Sequence, residues 1–372
     1  MNSNVHPLIV ALVLLLTGVA VGTWMWGSGE AANIGGPAEL KTGPDGHHYV
    51  QVRNYLIEHD ESGKFLKTHS LGDIGVELFL GSFGFFSNGD VLLRRGPDTR
   101  SFADNMRAYG RQENKQSLIP ETLDSGLFRC DLESEACERF GEGVDFKAAH
   151  GMYINWQTND VYVSDTTRHA LRKYSEDGSI AAGPTSGFRF PNQLMLRDDK
   201  LLVIDTNNHV VRVVDPGNGS FGNEIERIDV VPRDARTAHR RWPSHFARVN
   251  DEWWVNIMRT DMNEGEIYIF DDDWQFVRTL GLPREADPIA LITVDNEVWI
   301  SDWNNDSVRR YTVAGDQLPD LESAGLDQIV ADSRARRRGY EMISYSGIAL
   351  FLLVLAGLGV RALALNMNRD GS

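Results

Sequence analysis

Two uncharged apolar runs bracket the chain, and short alternating segments fill the space between them. Pro7 to Trp26 and Ile343 to Val360 carry no charged residue, and each reaches the ~18–20 residues a helix needs to cross a hydrocarbon core of ~30 Å. Between them, β-branched and aromatic residues alternate with polar ones in short runs broken by Gly, Asp and Asn, which is the pattern of strands and turns. Three stretches are near copies of one another: Val161 to Tyr174, Leu202 to Asp215 and Val298 to Tyr311. Each predicts a strand, a polar turn opened by Asp165, Asp205 or Asp302, and a second strand carrying Arg172, Arg212 or Arg309.

The spacing of the copies is roughly 40 to 50 residues once Trp253-Trp254-Val255-Asn256 is taken as a further unit, with Asn256 standing where the others have Asp. Fainter copies extend the series backwards: Val91 to Arg94 with Leu127 to Cys130, and Tyr49 to Asn54 with Tyr55 to Glu58. The count is six. A repeat of this length built only of strands predicts a propeller blade rather than a helical solenoid. The expected fold is all-β, a six-bladed β-propeller with one transmembrane helix at each terminus. Its boundaries are an anchor over 1–27, a Gly/Ala/Ser linker over 28–36, the propeller over 37–320, a basic linker over 321–341, a second span over 342–365 and a short tail over 366–372. Blade two carries a polar insertion over 96–125, long enough to read as a functional lid or a tolerated excursion.

The strand–Asp-x-x-Asn-His-x-x-Arg–strand unit, as it stands from Asp205 to Arg212, resembles the NHL repeat. Six such units resemble the NHL-type (TolB-like) six-bladed propellers. The likeness covers about residues 150–315, is weaker over 37–145 and is absent from the termini. Blade five departs most, with Met262-Asn263-Glu264-Gly265 in its turn.

A net charge of −16 excludes nucleic acid as a partner, because neutralising phosphates needs a basic surface. The first apolar run has no Lys or Arg ahead of it and only a weak small-residue site behind it, so an uncleaved anchor is expected over a signal peptide. Two spans put the propeller on one side of an inner (plasma) membrane and both termini on the other. Arg334, Arg336, Arg337 and Arg338 favour a cytoplasmic propeller by the positive-inside rule, although a long loop crosses largely regardless of charge. The only two cysteines, Cys130 and Cys137, flank a tight hairpin that would bring them face to face, and a disulfide belongs in an oxidising compartment. That favours an extracytoplasmic propeller. The spans are expected to pack through Gly347, Ala356, Gly357 and Gly359, whose small side chains allow close approach. Short tethers would turn the channel mouth toward the bilayer.

Antiparallel alternation sets the start of each blade and the turn between its second and third strands on one face. The blade-start residues Glu39, Gly81-Ser82, His150, Asn192-Gln193, Ser244-His245 and Asp287 are therefore expected around one channel mouth. Glu39, His150, Asn192, His245 and Asp287 are candidates for a ligand or a metal such as calcium or zinc; a merely solvated polar rim is the alternative. The related gluconolactonase and strictosidine-synthase-like propellers carry metal or catalytic residues in this region. Asp165, Asp205 and Asp302, with Asn208 and Asn305, are expected to be structural, holding their own turns and pairing with the repeat arginines between blades. His169 and His209 belong to the same repeat. Trp242, Phe246 and Trp303 either line a groove on the mouth face or pack, and Trp253 and Trp254 read as one core and one inter-blade contact. No nucleophile elbow or phosphate loop is present. The expected function is a binding or scaffold module for a protein or membrane-derived ligand; the alternative is a metal-dependent hydrolase, lactonase or lyase working at the mouth.

Overall fold

The computed structural model describes residues 7–76, 81–95, 126–141, 150–231, 241–259 and 264–370. The insertion over 96–125 and the turn residues Met262 and Asn263 lie outside them. The chain packs as two compact units, one of residues 36–327 and one of residues 1–35 with 328–372.

Residues 36–327 form six four-stranded antiparallel sheets, each taken from consecutive strands. Blade one is β1 Pro37–Thr42, β2 His48–Val52, β3 Tyr55–His59 and β4 Phe65–Ser70; blade two is β5 Gly84–Phe85, β6 Val91–Arg95, β7 Gly126–Cys130 and β8 Cys137–Phe140. Blade three is β9 His150–Ile154, β10 Val161–Asp165, β11 Ala170–Tyr174 and β12 Ile180–Ala182; blade four is β13 Pro191–Arg197, β14 Lys200–Asp205, β15 Val210–Val214 and β16 Glu224–Asp229. Blade five is β17 Trp242–Val249, β18 Glu252–Met258, β19 Gly265–Phe270 and β20 Phe276–Leu280; blade six is β21 Pro288–Val294, β22 Glu297–Asp302, β23 Ser307–Thr312 and β24 Gln317–Leu318. The six-bladed propeller expected from the repeat is the fold.

The core lies in the seams between blades. Leu201, Val203 and Val214 pack toward blade three, while Leu202, Ile204, Val211 and Val213 of the same two strands pack toward blade five. Strands buried on both faces need apolar residues at successive positions, which is why β14 and β15 read as nearly continuous hydrophobic runs. Trp253 belongs to the seam with blade four and Trp254 to the seam with blade six, so both are inter-blade residues. Phe246 is buried in the seam between blades four and five, and Trp242 stacks on His209.

Blade six closes on blade one without exchanging a strand. The Trp299 ring stands 5.7 Å from His48 and 5.5 Å from His59, the Ser301 hydroxyl donates to the Ala38 carbonyl, and the Gly36 N–H donates to the Trp303 carbonyl. Cys130 and Cys137 pair directly across β7 and β8 and are joined as a disulfide.

The repeat residues bond within their own turns. Asp302 accepts from the Asn305 side chain at 2.9 Å and from Arg309 Nε at 2.6 Å; Asp205 accepts from Asn208 at 2.7 Å and lies 3.4 Å from Arg212 Nη1; Asp165 accepts from Arg168 at 2.8 Å and lies 3.7 Å from Arg172. These pairs form inside one blade, not between blades, because the arginine sits on the third strand directly beside the turn it stabilises. His169 and His209 adopt left-handed backbone at φ 59° and 61° and reach the next blade, where His169 Nδ1 accepts from the Phe190 N–H and His209 Nδ1 donates to the Arg241 carbonyl.

The second unit holds helix α1, Pro7–Ala32, and most of helix α2, Ala324–Asp370. Both are long and apolar enough to cross a membrane. Helix α2 runs unbroken through the Arg334–Arg338 cluster into the apolar stretch. Close approach occurs at Gly27, where a Cβ would meet the Ser344 backbone at 2.6 Å, and at Gly347, where it would meet Trp24 at 2.5 Å. Gly357 and Gly359 have nothing within 4 Å of a Cβ, so the expected contact over 356–359 does not form; the helices meet a few turns nearer Gly27. Ser28 and Ser344 hydroxyls bond at 2.8 Å there, and Trp26 meets Tyr340 edge to face.

Candidate functional site

The first strand of each blade lines the axis, and a bulge near its start decides which side chains reach the mouth. In β1, β13 and β21 the register slips between Pro37 and Leu40, Pro191 and Leu194, and Pro288 and Leu291. A bulge re-aims its extra residues, and here it turns the pair between Pro and Leu out of the ladder. Glu39 and Gln193 are thereby brought to the same level at the mouth, and Ala290 is the corresponding residue of blade six. That the turns between second and third strands share this face is seen in two bonds: the Asn192 side chain donates to Thr206 Oγ1 at 2.7 Å, and the Trp303 N–H donates to the Asp287 carbonyl at 3.0 Å.

Glu39, Ser82, His150, Asn192, Gln193 and His245 surround a recess of about 100 Å³. Four of the five sequence candidates, from blades one, three, four and five, thus meet there. Asp287 is not among the lining residues. It precedes Pro288, one step outside the bulge, and lies buried against the turn of blade six, where its N–H donates to Asp302 at 3.0 Å. Its carboxyl oxygen Oδ1 is buried without a partner among the described residues, and burial, with Asp302 and Glu264 nearby, pushes its pKa up to about 7.

Glu39 is the electrostatic centre of the recess. Its carboxylate lies 3.4 Å from Lys41 Nζ, 3.5 Å from His245 Nε2 and 3.4 Å from the Ser82 hydroxyl. Burial alone would raise its pKa, but Lys41 and His245 outweigh that and hold it at about 2. Such a group keeps its charge at neutral pH and is a poor proton acceptor there. His150 donates through Nε2 to the Ser82 carbonyl at 3.2 Å. His245 Nδ1 is buried without a partner among the described residues. Among the described residues, Glu39, His150 and His245 do not form a set whose ligand atoms all lie within 4.8 Å of one another.

Two participants escaped the sequence reading. Lys41 lies two residues beyond Glu39 on the same strand, just past the bulge, and its ammonium reaches the Glu39 carboxylate. Gln51 of β2 accepts the Glu39 N–H at 3.2 Å and so fixes the bulge. Asn256 stands one position before the place of the repeat Asp. Its partner across the ladder is His245, and Pro243 pairs with Ile257 as Pro191 pairs with Asp205. Ile257 is therefore the blade-five counterpart of the repeat Asp. Asn256 corresponds instead to Ser164 and Ser301: all three donate to a carbonyl at the start of the next blade, on Pro288, Asn192 and Ala38 respectively.

Beneath the recess, a collar of Leu40, Phe83, Met152, Leu194, Phe246 and Leu291 leads into a second cavity of about 290 Å³. The collar is apolar, and the cavity below it adds Thr42, Arg248 and Thr293 to its lining.

No protein-family model matches the chain, and no curated protein matches it. Among solved structures it is similar to virginiamycin B lyase from Staphylococcus aureus, at 14% identity over 78% of this chain and 86% of that one, with a TM-score of 0.47. A streptogramin B lyase structure shares 17% identity over 78% and 84%, with a TM-score of 0.47, and the computationally designed Ika8 protein 13% over 76% and 73%, with a TM-score of 0.41. Likenesses at this level carry no argument about chemistry.

Proposed function

We propose that this chain is a membrane-anchored, NHL-type propeller that acts as a binding or scaffold module, engaging a protein or a membrane-derived ligand on the face where the blades begin. The observation that carries this reading is the size and charge of the recess. The recess, at about 100 Å³, holds one side chain or headgroup, and it shares Lys41, Met152 and Gln193 with the cavity of about 290 Å³ below it. That cavity lies at the lower end of the ~300–1,000 Å³ of small-molecule pockets, so the bulk of a larger ligand stays outside. Glu39, kept ionised, with Lys41 and the Asn192 and Gln193 amides, offers both acceptors and donors to that group. Helices α1 and α2 are the anchors. The Cys130–Cys137 disulfide supports an extracytoplasmic propeller at the inner (plasma) membrane; reduced, alkylatable thiols in intact cells would reverse that assignment.

The test is a photo-crosslinker at Asn304, in the exposed turn of the mouth face, compared with one at Asn296, in the turn of the opposite face. Discrete adducts at Asn304 that weaken in Glu39→Gln and are absent at Asn296 are expected. Adducts of equal yield at both positions would remove the reading.

A metal-dependent hydrolase, lactonase or lyase at the mouth is the second reading, favoured by the unpartnered His245 Nδ1 beside Glu39. Calcium or zinc bound stoichiometrically by the wild type and lost in a His150→Ala, His245→Ala double variant would favour it.

A further inference from the structure

On the face opposite the mouth, the turn between β1 and β2 presents Asp45 and His47 to Glu58 of β3. We propose that Asp45, His47 and Glu58 form a binding site for a first-row divalent metal ion of the zinc class, with His69 as the residue that positions Glu58. One ligand atom from each of the three lies within 4.8 Å of the others. His47 Nδ1 stands 3.2 Å from Asp45 Oδ2 and 2.7 Å from Glu58 Oε1. A tetrahedral zinc ion with bonds of about 2.0–2.1 Å sets its ligand atoms about 3.3 Å apart. The first distance already meets that spacing; the second needs a few tenths of an ångström more.

The site is built from inside outward. Glu58 is buried, and its far oxygen Oε2 accepts from His69 Nε2 at 2.7 Å. A carboxylate held through its second oxygen by a buried imidazole has its first oxygen fixed in place, as outer-shell partners fix metal ligands elsewhere. Asp45 is half exposed and His47 partly so, which leaves a fourth position to water. The Asp45 Oδ1 atom meanwhile accepts the His47 N–H at 3.1 Å, so the turn itself sets the spacing of the two outer ligands. Glu61 lies against Gly46 of the same turn, adding negative charge beside the site. One imidazole nitrogen with two carboxylate oxygens suits zinc and its neighbours better than calcium or magnesium, which prefer oxygen alone. Binding at Nδ1 displaces the proton that His47 donates to Glu58: an imidazolium gives it up to solvent, whereas a neutral ring keeps one proton by carrying it on Nε2.

The experiment uses the full chain, purified in detergent and freed of metal, then titrated with zinc and with cobalt(II). Expected are one equivalent of zinc, an affinity that falls as pH is lowered, and a visible cobalt absorption band. In His47→Ala and in Asp45→Asn the affinity should fall at least 100-fold and the cobalt band should vanish. His69→Gln should weaken binding ~10–100-fold. The His150→Ala, His245→Ala variant should bind as the wild type does, which separates this site from the mouth. Asp45→Asn alters a half-exposed side chain, so it reports even where His47→Ala fails to fold. No zinc bound by the wild type, unchanged affinity in Asp45→Asn, or loss of the ion in the mouth variant instead would each overturn the proposal.

Discussion

The His245 imidazole stands 3.5 Å from the Glu39 carboxylate, although the two residues belong to blades five and one, with blade six between them around the ring. The contact exists because the ring closes. It makes Glu39 a reporter on propeller integrity as well as on the mouth.

Glu39 loses proton affinity in the fold, its pKa dropping from 4.5 to about 2. Its stabilising effect is therefore complete above the unfolded value and is lost as pH falls from about 4.5 through about 2. Replacing it with Gln should cost roughly 2–3 kcal/mol at pH 7. Chemical denaturation across this range should show the gap between wild type and variant shrinking toward zero at the acid end.

Asp287 carries the opposite sign. Its pKa is raised from 3.8 to about 7, so the folded state is penalised as the group ionises. The penalty is absent below about pH 4, grows as pH rises through about 7, and is constant above. Asp287→Asn should match the wild type at pH 4 and exceed it by roughly 2–4 kcal/mol at pH 8. Equal stability at pH 8 would show that the carboxyl is solvated.

Asp302 and Arg309 form a buried pair at 2.6 Å. Removing either partner strands the other's charge, at a cost of about 3–5 kcal/mol. The double variant to Ala should cost clearly less than the sum of the two; additive losses would mean that the pair does not act as a unit.

The Cys130–Cys137 bridge closes a loop with a sequence separation of 7. So short a loop restrains the unfolded chain only modestly, and reduction should lower stability by about 2 kcal/mol. Thermal unfolding with and without reductant measures this, and Cys130→Ala with Cys137→Ala should abolish the difference.

Within the helical unit, Ser28 and Ser344 hydroxyls lie 2.8 Å apart, so cysteines at both positions should cross-link readily on oxidation in membranes. Adding Gly347→Leu, whose side chain would meet the Trp24 backbone, should abolish the cross-link. An undiminished cross-link would place the helix contact elsewhere.

Much of the propeller can be read along the chain, because a blade is a local object. Alternation, turn residues and a recurring Asp with its Arg all lie within one repeat, and their period alone implies six sheets in a ring. Part of the mouth is equally local: the tetrad Pro-x-x-Leu recurs at Pro37–Leu40, Pro191–Leu194 and Pro288–Leu291, and aligning it in blade six assigns Ala290 to the mouth and keeps Asp287 out. What only the tertiary structure decided depends on register and closure. A slip of one residue moves a side chain to the other face of its strand, which is how Asn256 changes role with Ile257. Ring closure sets His245 against Glu39, and pairing across β1, β2, β3 and β4 gathers Asp45, His47, Glu58 and His69. Residues that meet through neighbouring strands or around a ring share no short-range pattern, so their chemistry becomes visible only when the sheets are assembled.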